Sequence, residues 1–235
     1  MSLGLFAILS AITLAAAFLQ GAVGIGFALI LAPVLGILQP DLLPVTLLLL
    51  MLPLNFLVAW HERGAVDWSG AKWITAGRFA GTFLGLWLLA ALSAGQLDQA
   101  VGWFTLLAAV VALLAPPFSP GYRSALGAGL FTGVTETATG IGGPPLALLY
   151  QHAKGPILRS TVAVCFFVGE AMSLVVLAVA GRIATHQILA ALYLMPAVLV
   201  GSALSRMTHH IISPKALRLG VLVFALVSGL FLILR

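Results

Sequence analysis

The sequence predicts an all-α polytopic membrane protein made of two inverted halves, each a broken-helix hairpin followed by three transmembrane helices. Three observations carry that expectation. Of the 235 residues, 62% are hydrophobic and only 7% are charged, with a mean hydropathy of +1.17; a soluble domain carries about 25% charged residues. Apolar stretches of membrane-spanning length recur along the whole chain. Two of them are broken by glycine clusters that share the core Gly-Ile-Gly: Gly21-Ala-Val-Gly-Ile-Gly-Phe and Thr139-Gly-Ile-Gly-Gly-Pro-Pro145.

The apolar stretches cover residues 3–38, 42–60, 72–93, 99–116, 122–151, 157–179, 187–206 and 214–234. As one helix the first would be roughly 54 Å long against a hydrocarbon core of about 30 Å, so it must fold back or kink. In the fifth, Gly140, Gly142, Gly143, Pro144 and Pro145 oppose continuous helix through backbone entropy and missing donors. The distribution of positive charge favours folding back. If both stretches cross once, the eleven Lys and Arg split six to five between the two faces. If both return to the face they entered from, nine of the eleven share one face, with Arg78 counted there as a side chain that snorkels to the surface. Both termini are then expected outside and the basic loops 61–72, 117–123, 152–159 and 207–218 in the cytoplasm.

With hairpins at both places, residues 1–116 hold the hairpin 3–38 and spans 42–60, 72–93 and 99–116. Residues 117–235 hold the hairpin 122–151 and spans 157–179, 187–206 and 214–234. Three spans per half is an odd number, so the halves are oppositely oriented, as in many secondary transporters. Gly24-Ile25-Gly26 and Gly140-Ile141-Gly142 stand 116 positions apart, with Gln20 and Glu136 four places before each leading glycine. Gly77, Gly81 and Gly85 are partly echoed by Ala197, Gly201 and Ser205. Small residues every fourth position allow close helix packing in lipid. The Gly77 face packs either within the bundle or between copies of the chain, leaving a homo-oligomer open.

Several function classes are disfavoured. The net charge of +5 is scattered over short connections, so it reports orientation and not a nucleic-acid surface. Cys165 is the only cysteine and lies in an apolar run, which rules out an internal disulfide or a cysteine-rich metal site. His209 and His210 lie in a basic connection without a carboxylate or cysteine at ligand spacing. Ser10 and Ser173 lack a nucleophile elbow, so no enzyme is expected. Nothing calls for a cofactor, and without a Gly-x4-Gly-Lys-Ser/Thr loop direct ATP drive would need another subunit. Of Trp60, Trp68, Trp73, Trp87, Trp103 and Tyr122, most match membrane-interface depths. Asp41 and Asp98 are read as loop residues. The start, Met1-Ser-Leu-Gly-Leu, lacks the basic region of a secretory signal, and residue 3 onward is read as mature protein.

The interrupted segments point to a binding site, because lipid offers no partners to freed backbone groups and a break persists only beside protein or a wet cavity. A short helix restarting near Phe27 and another near Pro144 would present N–H groups and positive dipole ends to an anion. Gly24, Gly26, Gly140, Gly142 and Gly143 would let an oxyanion approach the backbone, Pro144 suits a first helical turn, and Thr139 offers a hydroxyl. Its alternative is a bond back to its own helix, as for any membrane threonine. Glu136 and Glu170 lie deep in apolar stretches, where a charged carboxylate costs roughly 2.5 to 3.5 kcal/mol on insertion scales. Each is a candidate for carrying a coupling proton; Glu170 is equally a structural partner for Arg78. Gln20 and Asn55 either line the cavity or bond between helices.

The segments GAVGIGFALILAP (Gly21 to Pro33) and GVTETATGIGGPPLAL (Gly133 to Leu148), near the starts of two similar halves, resemble the sulfite exporter TauE/SafE family of bacterial membrane transporters. Phe27 stands where the family often has a third small residue, which predicts a first hairpin less open than the second. The resemblance implies an inner-membrane protein that exports sulfite or organosulfonates by an ion gradient. The competing expectation is a cation or metal-ion transporter with Glu136 and Glu170 as ligands.

Overall fold

A computed structural model describes residues 3–23, 26–114, 121–150, 153–208 and 214–234. Its helices are α1 Leu3–Val23, α2 Phe27–Leu38, α3 Val45–His61, α4 Trp68–Ala91, α5 Ala94–Leu114, α6 Tyr122–Thr139, α7 Gly143–Leu149, α8 Gly155–Val179, α9 Thr185–Thr208 and α10 Pro214–Leu234, with 3-10 turns at Pro40–Leu42 and Arg63–Ala65. No strand occurs among the described residues. The parts Leu3–Ala22, Trp68–Ala91, Gly155–Val179 and Thr185–Ser205 are long and apolar enough to cross a bilayer. The chain is an all-α polytopic membrane protein.

Both expected interruptions are present, and each falls on a glycine whose backbone other residues avoid: Gly26 has φ 134° and Gly140 has φ 81°. Prolines sit inside α2, α3 and α9 at Pro33, Pro53 and Pro196, as packed membrane helices tolerate. Two helices begin earlier than hydropathy suggests, because polar caps start them. The Asp67 carboxylate accepts the Gly70 N–H at 3.1 Å and opens α4. Ser93 and Gln96 cap each other, the Ser93 N–H donating to Gln96 Oε1 at 2.9 Å, and open α5. Asp98 therefore lies within α5 and not in a loop, while Asp41 sits in a 3-10 turn.

Helix directions follow from which residues meet. Phe6 packs edge-on against Tyr193 at 6.5 Å between ring centroids, and a side chain on Gly201 would strike the Leu14 carbonyl; α1 and α9 run parallel. The Gln187 amide donates to the Asp41 carbonyl at 2.8 Å and the Thr46 hydroxyl donates to the Gln187 carbonyl at 3.0 Å. The turn after α2 is thus level with the start of α9, so α1 leaves and α2 returns to one end of the bundle. The α6–α7 hairpin belongs to the other end. Tyr122 lies 5.8 Å from Trp73, near the start of α4, and Tyr150, just past α7, donates to Asp67 Oδ2 at 2.8 Å.

The glycine face of α4 is used inside the fold. Side chains on Gly77, Gly81 and Gly85 would strike the carbonyls of Leu126, Leu130 and Val134 on α6. Gly81 meets Leu130 as Gly201 meets Leu14, with the hairpin residues offset by 116 positions, as the Gly-Ile-Gly cores are. Polarity is gathered inward: Arg78, Glu136, Glu170, Asn55, Thr132 and Thr137 are buried, while Phe79, Phe83, Trp87 and Val179 face outward. Trp60, Trp68, Trp73, Trp87, Trp103 and Tyr122 are all exposed.

Candidate functional site

The site is built where the two breaks meet. Gln20, on the last turns of α1, accepts the Phe27 N–H on its Oε1 at 3.1 Å. The start of α2 therefore receives part of its capping from within the chain, and the Phe27 N–H is not one of the donors left open. In the second hairpin the Gly140 N–H donates to the Glu136 carbonyl at 2.7 Å and the Thr132 hydroxyl to the Gly142 carbonyl at 3.2 Å. The Thr139 hydroxyl donates to the Thr135 carbonyl at 2.7 Å and accepts the Ile141 N–H at 3.4 Å. Thr139 is thus a local brace of the break, the alternative stated above, and not an uncommitted ligand donor. The second restart begins at Gly143, one residue before Pro144, and gives a helix of only seven residues.

Gln20, Gly26, Met51, Gly143 and Phe166 line one cavity of about 10 Å³. Residues from both breaks therefore face a shared space, and it is closed down to about the room of one water molecule. Gly24 lies outside the described residues.

Beside this cavity stands a charged cluster. Arg78 is fully buried on α4 and pairs with the Glu136 carboxylate on α6. This corrects the expectation that Arg78 snorkels to a surface: it lies ten residues into α4, roughly 15 Å along the helix and so near mid-membrane. Its guanidinium packs 5.4 Å from the centroid of the Phe166 ring, the same ring that walls the cavity. Room for it exists because residue 169 is glycine; any Cβ there would strike the guanidinium. The Glu136 Oε1 lies beside Gly142, 3.1 Å from where a Cβ would stand.

Glu170 takes a different partner. Its Oε1 accepts the Asn55 amide at 2.7 Å, joining α8 to α3, and its charge still acts on Arg78. Asn55 thus makes an interhelical bond, one of the two roles expected of it. Arg78 Nε and Nη1 and Glu170 Oε2 are buried without a hydrogen-bond partner. Unsatisfied buried polar atoms are costly and call for an explanation. Thr137 and Ser173 share a hydrogen bond of 2.7 Å nearby. Among the described residues no three His, Cys, Asp or Glu gather as a metal site would require.

The sequence singled out Gln20, Gly26, Gly142, Gly143 and Glu136 at this place, and offered Arg78 only as a snorkelling side chain or a partner for Glu170; Phe166 and Gly169 carried no signal. The depth of Arg78 within its span and its position between Gly77 and Gly81 were the available signals.

The comparisons with known proteins agree with this architecture. The family described as sulfite exporter TauE/SafE matches residues 9–232. The probable inner membrane transporter protein TsaS of Comamonas testosteroni is 31% identical over 201 residues, spanning 79% of this chain and 80% of that protein. No solved structure matches the chain. Two helix breaks meeting at one interior cavity, beside a charged cluster in an otherwise apolar bundle, together with the match over nearly the whole length, place this chain in the sulfite exporter TauE/SafE family of membrane transporters.

Proposed function

We propose that the protein is a secondary active transporter that exports a small sulfur-containing anion, of the sulfite or organosulfonate class, by alternating access between two inverted halves of residues 1–116 and 117–235. The substrate class rests on the family and on the buried Arg78 guanidinium packed behind Phe166, which lines the cavity, and a guanidinium suits an oxyanion geometrically and electrostatically. The alternation rests on hairpins that belong to opposite ends of the bundle and on the repeated contact of Gly81 with Leu130 and Gly201 with Leu14.

Arg78, Glu136 and Glu170 together carry one net negative charge when both carboxylates are ionised. An anion added to that cluster in a low-dielectric interior would be repelled, so its binding requires proton uptake. Glu136 is the proton acceptor in this scheme. Protonation dissolves its ion pair, and the freed guanidinium takes the anion through donors that have no other partner. Anion and proton then cross together. A sulfite dianion moving with one proton is a net load of one negative charge, which an interior-negative potential drives outward by roughly 2.3 kcal/mol per 100 mV, whereas a monosulfonate with one proton crosses electroneutrally and gains nothing from that potential.

A cation carrier with Glu136 and Glu170 as ligands is the weaker alternative, because a guanidinium already occupies the Glu136 carboxylate. The observation that carries the proposal is this pair, next to the second break and to a cavity shared with the first. In proteoliposomes loaded with sulfite or a short alkylsulfonate, flux should depend on the pH gradient in the native protein and lose that dependence in Glu136→Gln. Unaltered pH dependence in that variant would remove Glu136 from the coupling role, and stimulation only by divalent cations would overturn the anion assignment.

A further inference from the structure

A second chamber, larger than the first, opens at the end of the bundle where α3 finishes and α8 begins. It has a volume of about 360 Å³, and Gly21, Ala22, His61, Glu62, Arg159 and Ser205 are among its walls. His61 is exposed, Glu62 and Arg159 are partly exposed and Ser205 is buried, so the chamber runs from the bundle surface inward. Its inner wall is the last turn of α1. Gln20 faces the small cavity between the breaks, whereas the next two residues, Gly21 and Ala22, face this chamber. One helical turn separates the two spaces.

The chamber holds donors suited to a small anion, next to a Glu62 carboxylate whose Oε2 is itself buried without a hydrogen-bond partner. Arg159 donates from Nε and Nη2 to a single oxygen, Glu62 Oε1, at 3.0 and 2.6 Å. The edge of the guanidinium formed by Nη1 and Nη2 is left for a bidentate ligand, and such an edge matches the spacing of two oxygens on one sulfur or carbon. The Ser205 hydroxyl, 1% exposed, has no hydrogen-bond partner although its oxygen is buried. It lies where a side chain on Gly21 would stand, 2.6 Å from that Cβ position. A buried hydroxyl left unpaired beside a polar chamber is a donor awaiting a partner. Arg63 and Lys154 flank the same end, one in the turn after α3 and the other capping α8.

We propose that this chamber is an outer anion-binding site, in which Arg159 and Ser205 hold a small oxyanion or sulfonate before the last turn of α1 yields access to the inner cavity. The identity of the anion rests on the transport function proposed above; the existence of the site does not. Glu62 orients the guanidinium and, by its charge, keeps the resting affinity low enough for release.

The test exploits a sign. Glu62→Gln keeps the accepting oxygen and removes the charge, so it should strengthen anion binding, whereas Arg159→Gln should weaken it. A merely structural ion pair would respond to both substitutions in the same direction. Ala22→Cys provides the reporter, since the native Cys165 is fully buried. Its modification by a sulfonate-bearing methanethiosulfonate should exceed that by a trimethylammonium analogue by about tenfold, after correction for their rates with a free thiol. Arg159→Gln should abolish the preference and Glu62→Gln should enlarge it. Equal rates, or the same shift from both substitutions, would overturn the proposal.

A second measurement covers a poorly folded reporter. In proteoliposomes, Arg159→Gln should raise KM about tenfold for substrate presented to this face, with kcat held within about twofold, and Glu62→Gln should lower KM. A change in kcat alone would refute the site. Should the native protein carry neither sulfite nor sulfonate, the transport proposal fails while the labelling preference still decides the chamber.

Discussion

Removal of Arg78 tests the interior cluster most directly. In Arg78→Gln, two carboxylates remain in the membrane interior with no cation, and breaking a buried pair by deleting one partner costs about 3–5 kcal/mol. Glu136→Gln is milder, because the cluster goes from one net negative charge to neutral and Glu170 still faces the guanidinium. The double variant removes both members of the pair and should recover part of the loss, giving a coupling energy of roughly 1–3 kcal/mol. For a chain of this length each kcal/mol corresponds to roughly 2–4 °C in Tm on soluble-protein scaling. Arg78→Gln should therefore melt on the order of 10 °C lower in detergent, with Glu136→Gln nearer the native value. Flux separates the roles further: Arg78→Gln should carry no measurable sulfite, and Glu136→Gln should carry it without pH dependence. If Arg78→Gln matched the native protein in Tm, or transported normally, a buried Arg78–Glu136 pair at the site would be wrong.

Other substitutions probe the framework. Gly169→Ala should abolish transport and lower Tm, because its methyl group meets the Arg78 guanidinium; native flux and stability would contradict the packing. Gly140→Ala places a side chain at φ 81° and within 2.5 Å of Leu47 Cδ2, so a loss of about 1–2 kcal/mol or more is expected in thermal melts. Asn55→Ala strips Glu170 of its 2.7 Å hydrogen bond, an expected loss of about 1–3 kcal/mol, while Asn55→Asp should be worse because it adds a like charge; the order of the two in Tm is the check. Gln20→Ala leaves the Phe27 N–H without its side-chain acceptor, an expected loss of about 1 kcal/mol, and an unchanged Tm would contradict this cap.

Much of the fold was legible because hydropathy and glycine act locally. Gly26 and Gly140 adopt backbone angles that other residues resist, and each stands at the interruption of its helix. Deep carboxylates were also visible, since Glu136 and Glu170 stand in apolar runs that nothing else explains. Helix starts were less legible: α4 and α5 begin at polar caps, Asp67 and Ser93, that a hydropathy profile counts as loop. Thr139 illustrates the limit on site reasoning. Its position beside the break suggested a ligand donor, but its hydroxyl had a backbone carbonyl one turn away and took it.

The sequence alone determined the solvent, the broken helices, and the polar residues placed at depth, because each depends on the residue and its near neighbours against a bilayer of known thickness. Only the tertiary structure decided which charges pair. Arg78, Glu136, Glu170 and Asn55 come from four different helices, and whether a guanidinium reaches a surface or a carboxylate depends on which helices pack together and where a glycine leaves room. The close contacts of α4 with α6, and the missing side chain at Gly169, turned Arg78 inward.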